Sequence, residues 1–97
     1  MKIPEPIAFD WDKGNLDKNL HKHNISDKEA EEVFNNEPLE IFEDVNHSQK
    51  EQRFVAYGVT NLNRKLTIVF TLRKQNIRVI SVRNQSKKER RRYEKEN

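Results

Sequence analysis

Three strand-like segments follow one another in the second half of this chain with almost nothing between them, and this constrains its fold more than any other feature. They are Arg53 to Val59, Leu66 to Leu72 and Ile77 to Val82, rich in β-branched and aromatic residues. Asn61-Leu62-Asn63 and Lys74-Gln75-Asn76 punctuate them as turns. Parallel neighbours need a crossover of a dozen residues or more, so loops this short predict an antiparallel meander.

The rest of the chain frames that meander. Ile7 to Trp11 reads as a short strand after a proline-punctuated start. Asp12 is a helix cap, and Leu16, Asn19, Leu20 and His23 follow at one-face spacing. Asn24 suits the left-handed residue that ends a helix. Ser26-Asp27-Lys28-Glu29 is a capping box and opens a second helix with Ala30, Val33 and Phe34 on one face, stopped by Pro38. Leu39 to Phe42 reads as a further strand, and Glu43 to Lys50 as a loop. A second capping box, Ser86-Lys87-Lys88-Glu89, opens a final helix to about Glu96. The predicted fold class is α+β: a curved antiparallel sheet with two N-terminal helices and one C-terminal helix, all on one face, in a single domain over 1–97.

Charge is distributed unevenly along this frame. Residues 1–50 carry six lysines, no arginine and twelve Asp/Glu, a formal charge of −6. Residues 51–97 carry all eight arginines and five lysines against four glutamates, a formal charge of +9. Arginine's rigid fork of donors suits phosphate and keeps its charge at physiological pH, so an arginine-bearing sheet points to a nucleic-acid backbone. With no cysteine, disulfides and thiolate metal sites are excluded. His21, His23 and His47 do not form a metal set, because the first two point different ways from a helix. No apolar run approaches the roughly 18 residues of a membrane span, and the N-terminus lacks a signal-peptide core. A cytoplasmic protein without cofactor is expected.

Strand register decides where the arginines point. If a three-residue loop pairs Arg73 with Ile77, then Arg73, Thr71, Ser81 and Arg83 form one polar strip. A four-residue loop flips the second strand and breaks the strip. The residues alone do not choose between them.

The pieces also match a family. Phe9-Asp10-Trp11-Asp12, Asn19 and Lys22-His23 before Ile25-Ser26, then Glu29-Ala30 and Val33-Phe34, resemble the BrnT family of bacterial toxins. The resemblance continues through Glu51, Arg53, Gly58, Leu66 to Arg73, Arg78-Val79-Ile80-Ser81, Arg83, Glu89-Arg90 and Tyr93. It implies a RelE-like ribonuclease toxin of a type II toxin–antitoxin system that cleaves RNA and arrests growth. It further implies neutralisation by a BrnA-like antitoxin encoded alongside, a ribbon-helix-helix protein through which alone the complex reaches operator DNA. Two positions depart from the family pattern: Asn15 stands where lysine is usual, and Asn24 where glycine is.

RNA cleavage without a metal needs a base for the 2′-hydroxyl, charge stabilisation on the phosphorane and an acid for the leaving 5′-oxygen. On that basis Arg73 and Arg83 are candidates for charge stabilisation, His23 for acid/base work, and Tyr93 for stacking on a base or proton transfer. Lys22, Lys88, Arg90 and Arg91 are candidates for gripping RNA. Trp11, Glu51, Arg53 and Arg78 are assigned to framework or interface, Trp11 as a core anchor and Glu51 paired with Arg53. Each catalytic assignment has a plainer rival: His23 satisfying a helix end, Tyr93 packing under its helix, and the basic run lying in solvent. The rival for the whole chain is a non-catalytic module that binds RNA or antitoxin.

Overall fold

The computed structural model of the chain describes residues 3–14, 18 and 22–96. Its elements are helix α1 (Asp27–Asn35), strand β1 (Glu40–Glu43), a 3₁₀ turn (Val45–His47), strands β2 (Phe54–Val59), β3 (Lys65–Arg73) and β4 (Asn76–Asn84), and helix α2 (Lys87–Glu96). The four strands form one antiparallel sheet in sequence order, as the short loops require.

Both capping boxes form as expected. The Ser26 hydroxyl accepts from the Glu29 N–H at 3.2 Å, and the Glu29 carboxylate accepts from the Ser26 N–H at 3.0 Å. Ser86 and Glu89 repeat the exchange at 3.2 and 2.8 Å. Each box satisfies two backbone donors that a helix start leaves over. Asn24 adopts the left-handed conformation with φ 54°. The first predicted helix falls largely outside the described residues, as does Asn15; of its span, Lys13, Gly14, Lys18, Lys22 and His23 have helical backbone.

Alternation along the strands separates two faces. Phe54, Ala56, Leu66, Ile68, Phe70, Ile77, Val79 and Val82 are buried on one, beneath Ala30, Val33 and Phe34 of α1. Gly58 marks the closest approach of helix to sheet: a Cβ there would meet the Val33 Cγ1 at 2.5 Å. The N-terminal segment closes the core's edge. Phe9 bridges Ile77 in parallel, stacks on Trp11 and meets Phe34 edge-on. The expected strand from Ile7 to Trp11 is thus a single bridge, and Trp11 packs against the core while its Nε1 donates to Glu31 at 2.7 Å.

The helix arrangement differs from the expectation in one respect. Of the two helices described, α1 lies on the apolar face and α2 crosses the other one, where Glu89 meets Thr67 and Arg83 and Glu94 meets Lys65. The cause is composition. Tyr93 is the one buried residue of α2, so the helix has no apolar stripe for the core and pairs its charges with the polar face instead.

Candidate functional site

The polar face carries Glu40, Tyr57, Thr67 and Arg83 in one cross-strand row, and Phe42, Val55, Val69 and Ser81 in the next. Its register matches neither expected loop. Lys74 and Gln75 form a two-residue turn, both with positive φ (49° and 70°), and Arg73 pairs with Asn76. Such a turn alone would have separated Arg73 from Arg83. A bulge restores them to one face: Phe70 pairs with Val79 but Val69 with Ser81, leaving Ile80 as the extra residue. Arg73, Thr71, Ser81 and Arg83 therefore do share a strip, joined by Arg78 opposite Thr71. Arg83 pairs with Thr67, six residues along β3 from Arg73, so the two arginines stand roughly 20 Å apart at opposite ends.

The end under α2 is closed by ion pairs. Arg83 meets Glu89 through two nitrogens, at 2.6 and 2.8 Å. Burial works to raise the Glu89 pKa, but bonds from Arg83, the Ser86 N–H and Thr67, with the Arg83 charge, outweigh it and hold the carboxyl at about 2. The same bond raises the Arg83 pKa. Arg92 lies over the Phe42 ring at 4.4 Å and reaches Glu40 at 3.3 Å, while Lys65 meets Glu94 at 3.2 Å. Tyr93 is 3% exposed and its hydroxyl donates to the Pro38 carbonyl at 2.5 Å. Burial raises its pKa, so it stays a donor. Lys87, Lys88, Arg90 and Arg91 line the outside of the helix, all four exposed.

The opposite end is open. Arg73 and Glu51 approach only to 3.9 Å, with side chains 50% and 43% exposed. Arg78 is held by Asp12 at 3.2 Å and Asp10 at 3.7 Å, which alternate in sequence with the core-packed Phe9 and Trp11. Arg53, on the same side of β2 as Val55 and Tyr57 by alternation, has no ion pair among the described residues; the Glu51–Arg53 pairing read from the sequence is replaced by Glu51–Arg73. The loop from Asp44 to Arg53 is stapled by Ser48, whose hydroxyl donates to the Asp44 carbonyl at 2.7 Å and accepts from the Arg53 N–H at 2.9 Å. An open pocket of about 500 Å³ is lined there by Asn46, His47, Gln49, Lys50, Glu51 and Arg53. His47 Nδ1 lies 2.8 Å from the Asp44 carboxylate.

His23 is not part of either cluster. Its carbonyl accepts from Arg64 at 2.9 Å, and Arg64 also bonds the Asn24 carbonyl, Glu29 and Asn84. Arg64 thus ties the residues before α1 to the start of β3 and the end of β4, a role the sequence reading missed. Its signal was only its place after the Asn61–Asn63 turn. Lys22 is exposed nearby. The four residues expected to share a reaction centre, His23, Arg73, Arg83 and Tyr93, are therefore dispersed: one before α1, two at opposite ends of the polar face and one buried. Among the described residues no group of three or more His, Cys, Asp or Glu is placed to hold a metal, and no helix is long and apolar enough to cross a membrane.

Comparison with known proteins supplies the family. None of the curated proteins matches the chain. Among solved structures, the fold is similar to the crystal structure of the ribonuclease toxin BrnT of Brucella abortus, with a TM-score of 0.63 and 21% identity over 84% of this chain and 99% of that one. The family profile described as "Ribonuclease toxin, BrnT, of type II toxin-antitoxin system" matches residues 11–89, a span that holds α1, the whole sheet and the Arg83–Glu89 pair. By that match the chain belongs to the BrnT family of type II toxin–antitoxin ribonuclease toxins.

Proposed function

We propose that this chain is a single-domain endoribonuclease toxin, RelE-like in fold, that cleaves RNA in the cytoplasm without a metal and is neutralised by a BrnA-like antitoxin. The observation that carries this reading is the arginine-bearing polar face. It offers a strip roughly 20 Å long, the reach of a few nucleotides, with cations at both ends and modest, half-buried side chains (Val55, Val69, Ser81) between them. Arg73 and Arg53, loosely held at the open end, stabilise charge on the phosphorane as the 2′-oxygen attacks. Arg83 gives two N–H donors to Glu89 and one to the Asn84 carbonyl, and with the rest holds a phosphate a few nucleotides away. Lys22, Lys88, Arg90 and Arg91 grip the flanking backbone. Tyr93, buried and bonded to Pro38, serves packing.

The antitoxin reading rests on the family: a type II toxin is silenced by a protein partner, and we assign a ribbon-helix-helix protein through which alone the complex touches operator DNA. The test is primer extension on RNA incubated with the purified chain in EDTA, together with growth after induction without antitoxin. Discrete cuts and arrested growth are expected. A folded chain that leaves RNA intact and growth normal contradicts the reading. One observation favours a second reading, a module that binds RNA or antitoxin without cutting: the four expected catalytic residues are dispersed. Tight, salt-dependent RNA binding with no products would support it.

A further inference from the structure

We propose that the loop between β1 and β2 supplies the base for RNA cleavage: Nε2 of His47, oriented by Asp44, facing a phosphate held by Arg53. This deepens the ribonuclease reading and rests on it.

The geometry of the pair comes first. An ionised Asp44 can only accept, so at 2.8 Å it takes the Nδ1–H of His47. That choice fixes the tautomer and leaves Nε2 with a lone pair directed away from Asp44, the arrangement an imidazole base needs. The side chain of His47 is 67% exposed, so the lone pair is open to substrate.

The support beneath the pair is rigid in the sense that matters for a base. The Asp44 N–H donates to the Arg53 carbonyl at 2.8 Å, which carries the β1–β2 ladder one step into the loop. Ser48 ties Asp44 to Arg53 a second time, and the His47 N–H donates to the Asp44 carbonyl at 3.2 Å. One short network thus fixes the base and the backbone from which the Arg53 side chain departs. Both line the same 500 Å³ pocket, a volume in the range of small-ligand sites. Glu51 belongs to the pocket wall and also faces Arg73, so the pocket opens at the end of the polar strip where a phosphate meets the least committed arginines.

The step balances without a co-reactant. Nε2 takes the proton of the 2′-hydroxyl as the 2′-oxygen bonds to the adjacent phosphorus. The P–O5′ bond breaks, and the 5′-oxygen takes a proton from the imidazolium or from water. The products are a 2′,3′-cyclic phosphate and a free 5′-hydroxyl. Arg53 and Lys50 offset the negative charge that gathers on the phosphorane oxygens.

The test compares wild type, His47→Ala and Asp44→Asn on a short RNA in EDTA, with RNA affinity and circular dichroism measured alongside. His47→Ala is expected to cut at least about 100-fold more slowly, to bind RNA within about two-fold of wild type on that account, and to regain activity when imidazole is added. Asp44→Asn is expected to lower kcat about ten-fold with KM unchanged. His47→Ala cutting at the wild-type rate overturns the proposal. So does a loss that imidazole leaves untouched while RNA binding falls equally, which would make His47 a structural part of the loop. A wild type that binds RNA but never cuts it removes the ribonuclease reading and this inference together, whereas an active wild type with an equally active His47→Ala removes this inference alone.

Discussion

The two ends of the polar face carry similar charges in different states. Under α2 the cations are committed: Arg83 to Glu89 by two short bonds, Arg92 to Glu40 and the Phe42 ring, Lys65 to Glu94. At the loop end Arg78 is held by Asp12 and Asp10, but the ion pair of Arg73 is long and exposed, and Arg53 has no ion pair among the described residues. A guanidinium already matched to a carboxylate must share or exchange that partner to bind phosphate, whereas a loosely held one need not. On the proposed ribonuclease reading, this contrast gives framework and docking to the closed end and chemistry to the open one, although both ends carry arginines.

The largest effect that follows is on Arg53. Arg53→Ala should slow cleavage about 100-fold or more, the usual cost of removing one preorganised donor from a developing anion, while thermal stability stays near wild type. An equal rate would show that the open end is not the reaction end. Next is Arg83→Ala, expected to slow cleavage by about ten-fold through weaker holding of a phosphate a few nucleotides from the cut. A loss matching that of Arg53→Ala would erase the distinction between the ends.

The closed end should also show itself in acid. Glu89 has a pKa of about 2 in the fold against 4.5 ordinarily, so its contribution is fully present above pH 4.5 and is lost as pH falls from there toward 2. Glu89→Gln keeps the capping box, since glutamine serves at that position, but should flatten the stability curve in that window. Denaturant unfolding between pH 2 and 6 reads this directly, and parallel curves for the two proteins would contradict the assignment. Smaller again is the salt response. Replacing Lys88, Arg90 and Arg91 by alanine should reduce the slope of log K against log salt by about 2 for single-stranded RNA, roughly 0.7 for each phosphate left unneutralised. The smallest effect is on Tyr93→Phe, which should cost about 1 kcal/mol of stability for one missing hydrogen bond. A ten-fold fall in cleavage would bring its hydroxyl back into the reaction.

Local signals in the sequence carried much of this fold. Ser26/Glu29 and Ser86/Glu89 announce helix starts because a capping box is written within four residues. The alternation in β3 and β4 likewise shows which residues can share a face. The turn between those strands was hidden because Lys74-Gln75 lacks the Asn-Gly or Asp-Gly signature of a two-residue hairpin loop. The bulge at Ile80 has no composition of its own, yet it returns Arg83 to the side of Arg73. The face chosen by α2 was misread because a helix of ten residues with one buried tyrosine is positioned by ion pairs, not by an apolar stripe. Those pairs join residues far apart in sequence, such as Arg92 with Glu40 and Arg78 with Asp12. The same holds for the site. Residue types pointed correctly to an arginine-bearing sheet, but which arginines are committed depends on carboxylates that only the folded chain brings to them.

The account turns on the open end of the polar face cutting RNA, and single-turnover cleavage of a short RNA in EDTA by wild type and Arg73→Ala tests that most directly. The prediction is a wild type that cuts to a cyclic phosphate and a 5′-hydroxyl, and an Arg73→Ala chain that is folded, still binds RNA and cuts about 100-fold more slowly. Cleavage by Arg73→Ala at the wild-type rate, or cleavage that ceases in EDTA, would contradict it.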